Sequence, residues 1–180
     1  MFLPLETERL LLRKVEQTDA SFILEFFKND DATKYMLYHF YHLDEVQIQM
    51  DYYENQYKNE TGCYWLLQKK TTNESIGVIG LHNISKEHRK GEIGFWVLPQ
   101  FTGLGYTTEV GRVIVDYCFT ALNFNRVEAT VETENFASQK VIEKLGFKYE
   151  GTFREFEMNN GKFIDLMMFA SLAKEANIIK

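Results

Sequence analysis

Residues 92–109 read EIGFWVLPQFTGLGYTTE, and this stretch decides how the chain folds. A short apolar run at 93–98 is followed at once by Pro99. Because proline has no N–H to donate to a neighbouring strand, we predict a β-strand that ends near Leu98. A helical pattern of apolar residues begins near Tyr106 and ends around Asn123, so the segment predicts a strand, a turn and a helix in direct succession.

The turn contains Gly103 and Gly105, and glycine permits tight bends and close approach of a ligand to the backbone. Thr107 or Thr108 is expected to cap the helix that follows. Unpaired N–H groups at a helix N-terminus attract negative charge, so this segment predicts an anion site with phosphate or pyrophosphate as its natural ligand. The alternative is a turn that the glycines only shape, with no ligand.

Two familiar nucleotide-binding motifs do not fit this turn. A G-x-G-x-x-G/A fingerprint that starts at Gly103 would place its third small residue at Thr108. Asn123 and Asn125 flank the position where that motif needs an acidic residue. The sequence after the turn also lacks the G-K-[ST] ending of a P-loop. Both nucleotide folds are therefore disfavoured.

Several segments resemble motifs of one enzyme superfamily. Gln100–Gly105 is similar to the Q/R-x-x-G-x-G/A pyrophosphate loop of the GNAT superfamily of acetyl-CoA-dependent N-acetyltransferases. The segments 135–138, 144–147 and 150–151 resemble the N-x-x-S … K-x-G-F … E-G run of the branch that contains the ribosomal-protein N-terminal acetyltransferases (RimJ/RimL-like). The opening stretch 7–13, TERLLLR, resembles the first strand of that branch. The order and spacing of the motifs agree across nearly the whole chain.

Composition and charge limit the class of protein. With 180 residues, of which 45% are hydrophobic, residues 1–180 are expected to form a single N-acetyltransferase domain. The net charge of −6 argues against a nucleic-acid partner, and the apolar runs are too short to cross a membrane. Cys63 and Cys118 do not have the spacing of a metal or redox motif, so we expect both to be reduced thiols in the core. Because the N-terminus also lacks a signal-peptide pattern, we expect a cytoplasmic location. The histidines have no zinc spacing and are expected at the surface or in loops: His39, His42, His82 and His88.

The pattern of elements predicts a mixed α/β fold. Antiparallel strands come first, then strand–helix–strand–helix, then a hairpin over 159–161. The crossover after Leu98 should make strands 92–98 and 126–132 parallel neighbours in a mostly antiparallel sheet. The resemblance implies that these two strands splay apart and that the pantetheine arm of the cofactor lies in the gap. Core stripes are expected on three helices, at Val46, Met50, Tyr53 and Tyr57, at Val110, Ile114, Tyr117 and Cys118, and at Ala137, Val141 and Leu145.

The resemblance assigns acetyl-CoA as the co-substrate, with no metal. Backbone N–H groups from Gly103 through Thr107 are expected to hold the pyrophosphate, and an N–H near Val97 to stabilise the oxyanion. Asn135 should contact the cofactor arm, and it can also cap the helix that starts after it. The full set of residues predicted to bind the cofactor is Trp96, Val97, Leu98, Gln100, Gly103, Leu104, Gly105, Tyr106, Thr107, Asn135 and Ser138.

Acetyl transfer to an amine also requires proton transfers. An amine with a pKa of about 10 is mostly protonated at pH 7, and freeing it costs roughly 4 kcal/mol unless a base assists. By resemblance, Glu157 is the general base and Ser138 the general acid for the departing thiolate. Glu92, at the start of the strand before the loop, is the rival base, acting through water. Each glutamate can instead be a solvated strand residue.

The predicted function is transfer of an acetyl group from acetyl-CoA to a primary amine. The acceptor is either a protein N-terminal α-amine or a small-molecule amine, and fold-level analogy does not distinguish them. The alternative function is a non-catalytic acyl-CoA-binding regulatory or interaction module. Self-association of the chain into a homo-oligomer stays open.

Overall fold

A computed structural model describes residues 3–176 of the chain; Met1, Phe2 and residues 177–180, which the expected single domain includes, lie outside this range. The strands are β1 (Leu5–Glu6), β2 (Leu10–Lys14), β3 (Cys63–Lys69), β4 (Ser75–Ser85), β5 (Lys90–Val97), β6 (Arg126–Glu132), β7 (Lys148–Asn159) and β8 (Lys162–Leu172). The helices are α1 (Ala20–Phe27), α2 (Leu43–Lys58), α3 (Tyr106–Thr120) and α4 (Phe136–Lys144). Short 3-10 turns span Gln17–Asp19 and Pro99–Phe101.

The strands form one eight-stranded sheet in the order β1-β2-β3-β4-β5-β6-β8-β7. Every neighbouring pair is antiparallel except β5 and β6, which run parallel. The predicted mixed α/β fold, the parallel pair and the final hairpin are therefore confirmed. The hairpin turns at Asn160 and Gly161, both of which have positive φ, as a tight hairpin turn requires.

The two faces of the sheet are covered by different helices. On one face, the indole of Trp96 stacks on Phe26 of α1, with ring centroids 4.0 Å apart, and its N–H bonds the hydroxyl of Tyr53 on α2. On the other face, Trp65 of β3 meets Tyr117 of α3 edge-on at 5.9 Å. Trp96 lies on β5 between the helices and the sheet, so the strand that carries the predicted site is fixed by the core.

Most predicted core stripes are correct. In α3, the four predicted residues are all buried, and in α2 three of four are buried. Tyr57 is the exception, because its ring is 37% exposed and lies under the ammonium group of Lys14, 3.7 Å from the ring centroid. The last turn of α2 thus extends beyond the core.

Three expectations about elements were wrong. The stripe predicted for α4 fails because Ala137 is exposed and the buried residue is Ile142, although Leu145 packs against α3. A Cβ at Gly111 of α3 would lie 2.6 Å from Leu145 Cδ1, so glycine at this position allows the two helices to approach. Helix α3 ends at Thr120 rather than near Asn123. The two-residue strand β1 was not predicted.

Candidate active site

The turn after β5 has the geometry of an anion-binding loop. Gly103 and Gly105 adopt left-handed conformations with φ of 75° and 81°. Gly105 itself is the N-cap of α3, so the prediction that Thr107 or Thr108 caps the helix was wrong. A residue with positive φ turns the chain sharply into the helix, and this leaves both threonines inside the first turn.

The backbone N–H groups of this turn are available to a ligand. The first hydrogen bond of α3 runs from Glu109 N–H to Gly105 C=O at 3.0 Å, so the amides of Tyr106, Thr107 and Thr108 precede it and have no helical partner. A Cβ built on Gly103 would meet no atom within 4 Å, so the turn borders open space. The amides and the dipole of α3 converge on that space, which suits an anion.

Strands β5 and β6 form a fork whose closed end is short. Their pairing covers only Lys90↔Arg126, Gly91↔Val127 and Glu92↔Glu128, although both strands continue. The splay that the resemblance implied is therefore present.

Among residues 96–98, one directs its backbone groups toward the open part of this fork. Leu98 N–H donates to Ile76 C=O at 2.9 Å, and because antiparallel pairs alternate, Trp96 also directs its backbone groups toward β4. Val97 lies between them and directs its N–H and C=O toward β6. Of the three residues predicted to bond the pantetheine, only Val97 has both backbone groups free for a ligand in the gap.

Glu92 holds the fork at the point where the pairing stops. Its Oε1 accepts a hydrogen bond from the backbone N–H of Thr130 at 3.2 Å and another from the Thr130 hydroxyl. Its Oε2 accepts from Asn83 Nδ2 at 3.0 Å and lies 3.5 Å from His82 Nε2. In a continuing parallel ladder the Thr130 amide would bond the backbone of β5, so the Glu92 carboxylate replaces that part of the ladder.

This environment determines the protonation of Glu92. Burial by itself raises the pKa of the carboxyl, which is only 9% exposed. The hydrogen bonds and charge from His82, Thr130 and Asn83 outweigh burial and lower the pKa to about 2. A carboxylate with this pKa and four donor contacts is a weak proton acceptor at neutral pH, so the geometry disfavours Glu92 as the general base.

Asn135 and Ser138 lie together where β6 leads into α4. Asn135 is the N-cap of α4, and its Oδ1 accepts a hydrogen bond from Ser138 N–H at 3.1 Å. Within residues 3–176, the Asn135 Nδ2 and the Ser138 hydroxyl bond no other protein group, so both are available to a ligand. The capping role expected for Asn135 is therefore present.

Glu157 lies on β7, at the open end of the fork. It pairs with Ile164 of β8 and is partly buried. Asn159, two residues further along β7 and therefore on the same face, donates from Nδ2 to Glu132 Oε1 at 2.9 Å. Glu132 is the last residue of β6, so Glu157 is brought to the side of the fork that α1 and α2 flank.

Sequence reasoning missed the residues that support the site. His82 was expected at the surface or in a loop, yet it lies in β4 beside Glu92. Thr130 and Asn83 carry no catalytic signature, and only the register of the strands reveals their contacts with Glu92. Alternation in β6 did place Thr130 on the less buried face, which was the one available signal. No group of three or more His, Cys, Asp or Glu side chains in the described part of the chain is placed to hold a metal ion.

Comparisons with known proteins agree with this geometry. The profile of the acetyltransferase (GNAT) domain matches residues 9–148. The chain is 34% identical to the uncharacterized N-acetyltransferase YoaA of Bacillus subtilis over 171 residues, which cover 94% of this chain and 97% of the relative. A solved structure described as a probable acetyltransferase superposes with a TM-score of 0.86 at 28% identity and covers 96% of this chain and 98% of its own.

Two relatives have names that include an acceptor. The putative ribosomal N-acetyltransferase YdaF of Bacillus subtilis is 37% identical over 99 residues, 55% of this chain and 54% of the relative. The spermidine N(1)-acetyltransferase of Escherichia coli K12 is 26% identical over 153 residues, 84% of this chain and 80% of the relative. Ribosomal-protein and polyamine enzymes are thus both among the chains to which this one is similar.

Proposed function

Because the chain belongs to the acetyltransferase (GNAT) domain family and is an acetyl-CoA-dependent N-acetyltransferase, we propose that its acceptor is a primary amine of a small polycation. The alternative of a non-catalytic acyl-CoA-binding module is set aside, since the relatives are named as N-acetyltransferases. The observation that carries the proposal is the acidic character of the open end of the fork. Glu132 and Glu134 both act on the charge of Lys34, and Glu157 lies two residues before the Asn159 that bonds Glu132.

The acceptor enters from the face that α1 and α2 cover. The loop between these helices reaches the end of β6, because the hydroxyl of Tyr35 donates to Glu134 C=O at 2.9 Å. The ammonium group of Lys34 lies near Glu132 and Glu134, and their charges contribute to raising its pKa after the larger effect of Tyr35. The carboxylates of this region therefore favour positive charge, which supports a cationic ligand there.

We assign the proton transfers to Glu157 and Ser138. Glu157 takes a proton from the acceptor ammonium, and the freed amine attacks the thioester carbon. The N–H of Val97 donates to the oxygen that becomes negative in this step. The C–S bond then breaks, and Ser138 donates its hydroxyl proton to the departing thiolate. The acylated nitrogen releases its remaining extra proton, which returns through water to the Ser138 oxygen, so the neutral amide and the thiol are the products.

The donor is assigned to the loop and to the start of α4. The amides of Gly103, Leu104, Gly105, Tyr106 and Thr107 bind the pyrophosphate, and Gln100 and Asn135 contribute side-chain amides. The backbone of Val97 bonds the pantetheine, while Trp96 and Leu98 shape the strand that presents it. These residues fit acetyl-CoA because they offer donors to an anion and an unpaired strand edge to an extended amide chain.

The test is release of free thiol from acetyl-CoA with a panel of amines that includes spermidine, spermine, free amino acids and peptides with unblocked N-termini. We expect spermidine or spermine to give the largest kcat/KM. Preference for peptide N-termini would contradict the acceptor proposal and support the second candidate, a protein N-terminal α-amine. The ribosomal relative is the observation that favours this second candidate.

The same assay tests the base. Glu157→Gln should lower kcat by about 100-fold or more and flatten the acidic limb of the pH–rate profile. Glu155→Gln is the matched control, because Glu155 lies in the same strand and is exposed. Equal kcat in both variants would remove Glu157 from the mechanism.

A further inference from the structure

The segment before β2 is fastened to the start of α3. The Arg9 Nε donates to Glu109 Oε2 at 2.6 Å, and the Arg9 backbone N–H donates to Oε1 at 3.1 Å. The side chain of Thr7 is close enough to the same carboxylate to help lower its pKa. Glu109, in the first turn of α3, is thus the common partner of Thr7 and Arg9. Both residues belong to the stretch 7–13, TERLLLR, which has no role in the proposed chemistry.

The far end of Arg9 reaches the predicted pyrophosphate loop. Its Nη1 donates to the C=O of Leu104 at 3.1 Å. Its guanidinium carbon lies 4.2 Å from the ring centroid of Tyr106, a cation–π distance. Arg9 is therefore held by Glu109, by Leu104 and by Tyr106 in one fixed position behind the loop.

This contact determines the orientation of one peptide group. In a trans peptide the C=O and the N–H point in opposite directions. Leu104 C=O is turned toward Arg9, so Gly105 N–H is turned away from it. Gly105 has φ of 81°, and a glycine tolerates a rotated peptide plane that other residues resist, so the loop sequence alone does not fix this orientation.

We propose that Arg9 is a positioning residue for acetyl-CoA, which turns the Leu104 carbonyl away from the donor site and the Gly105 amide into it. The proposal rests on the proposed function, in which this loop holds the pyrophosphate. A carbonyl that pointed into the site would repel the diphosphate and remove one donor. Arg9 acts from behind the loop and through the peptide group, without touching the reacting atoms.

Two forms of the donor separate this role from a general loss of structure. S-Acetyl-pantetheine carries the thioester but no pyrophosphate, so loop orientation should not affect it. Arg9→Gln should raise the KM for acetyl-CoA about tenfold, because this is the effect of losing one hydrogen bond to a charged group. The kcat should stay within about twofold of that of the unsubstituted protein. The KM for S-acetyl-pantetheine should change less than about twofold. Equal KM increases for both donors would overturn the proposal.

A matched control is present elsewhere in the chain. Arg89 is also exposed and also holds a backbone carbonyl, with Nε donating to Asn123 C=O at 2.8 Å. Arg89→Gln removes the same charge and the same kind of contact from a different turn. This variant should leave the KM for both donors unchanged. If it raised the KM for acetyl-CoA as much as Arg9→Gln does, the effect of Arg9→Gln would be due to the loss of positive charge.

Glu109→Gln gives a test of sign. If Arg9 served only as positive charge near the diphosphate, removal of the Glu109 charge would tighten CoA binding. If Arg9 orients the loop, loss of its anchor should weaken CoA binding about two- to fivefold in calorimetric titration. Tighter binding would contradict the proposal. Gly105→Val distinguishes a failure of the Arg9 proposal from a failure of the proposed pyrophosphate loop. If Gly105→Val weakens CoA binding and Arg9→Gln does not, only the role of Arg9 is contradicted. If neither variant weakens CoA binding, the loop does not bind the pyrophosphate.

Discussion

At the scale of single residues, Glu92 shows how a side chain can replace part of a β-ladder. The sequence places this glutamate at the start of the strand before the loop, and from that position it was the rival base. In the structure one of its oxygens accepts hydrogen bonds from Thr130 of β6 and the other from Asn83 of β4, so the side chain connects three strands. The sequence could not reveal this role, because the partner Thr130 is 38 residues away and is identified only by strand register.

The pH dependence of stability follows from the carboxyl of Glu92. Its pKa in the folded protein is about 2, below the ordinary value of 4.5, so the stabilisation is fully present above pH 4.5 and is lost as the pH falls toward 2. The size is on the order of 3 kcal/mol. Glu92→Gln should lower the free energy of unfolding in urea at pH 7 and reduce the difference between pH 5 and pH 3. Parallel pH profiles of the two proteins would show that Glu92 does not supply this stability.

Ser138 should affect the leaving group more than binding. Asn135 caps α4 through the backbone N–H of residue 138, which alanine retains, so Ser138→Ala should not disturb the helix. A thiol with a pKa near 8.5 leaves tolerably without help, so kcat should fall about 10- to 100-fold. Calorimetric titration should show a change in CoA affinity of less than about threefold. A large affinity loss with kcat preserved would make Ser138 a cofactor ligand instead.

At the scale of elements, local patterns predicted most strands and helices. Alternation of apolar and polar residues predicted β6, and the turn residues predicted the final hairpin. Pro99 predicted the end of β5 to within one residue. The buried face of α4 was wrong because it is determined by packing against α3. Helix α3 ends at Thr120, and Asn123 shortly after it has a left-handed φ of 55° and cannot continue a helix. The cap of α3 was missed because a left-handed glycine took the place of a threonine side chain.

The glycine loop can be tested with a control of equal strain. Gly105→Val should lower CoA affinity at least about tenfold, a loss of roughly 1.4 kcal/mol, because a side chain at φ of 81° distorts the turn. Gly161→Val places the same strain, at φ of 74°, in the turn between β7 and β8. The two variants should lose similar free energy of unfolding, and only the first should lose CoA affinity. If the two variants had equal CoA affinities, the loop at Gly105 would be only a structural turn and would not bind CoA.

At the scale of the whole molecule, the sheet has a weak seam. Three residue pairs join β5 to β6, whereas β6 and β8 pair along seven. The side chain of Glu92 and the ion pair between Lys90 and Glu128 add contacts between these two strands. A ligand in the fork would contact both sides of the seam and should stabilise the folded state.

Hydrogen exchange can measure this seam. In the free protein, the amide of Thr130 should exchange more slowly than that of Val97, because Glu92 accepts a hydrogen bond from the first while the second faces the open fork. CoA should slow exchange at Val97 and raise the melting temperature in a concentration-dependent manner. Protection of Val97 without CoA would show that the fork is closed in the free protein.

In the proposed function the loop binds acetyl-CoA with main-chain groups, and this has a consequence for evolvability. Leu104 is 53% exposed, and neither its side chain nor those of Thr107 and Thr108 is required for donation from the backbone. Substitutions there are nearly silent for the donor as long as the glycines keep their conformation. The proposed acceptor site, in contrast, uses side chains such as those of Glu134 and Glu157. A few changes on that side can therefore redirect the enzyme to a new amine while the donor machinery is inherited unaltered.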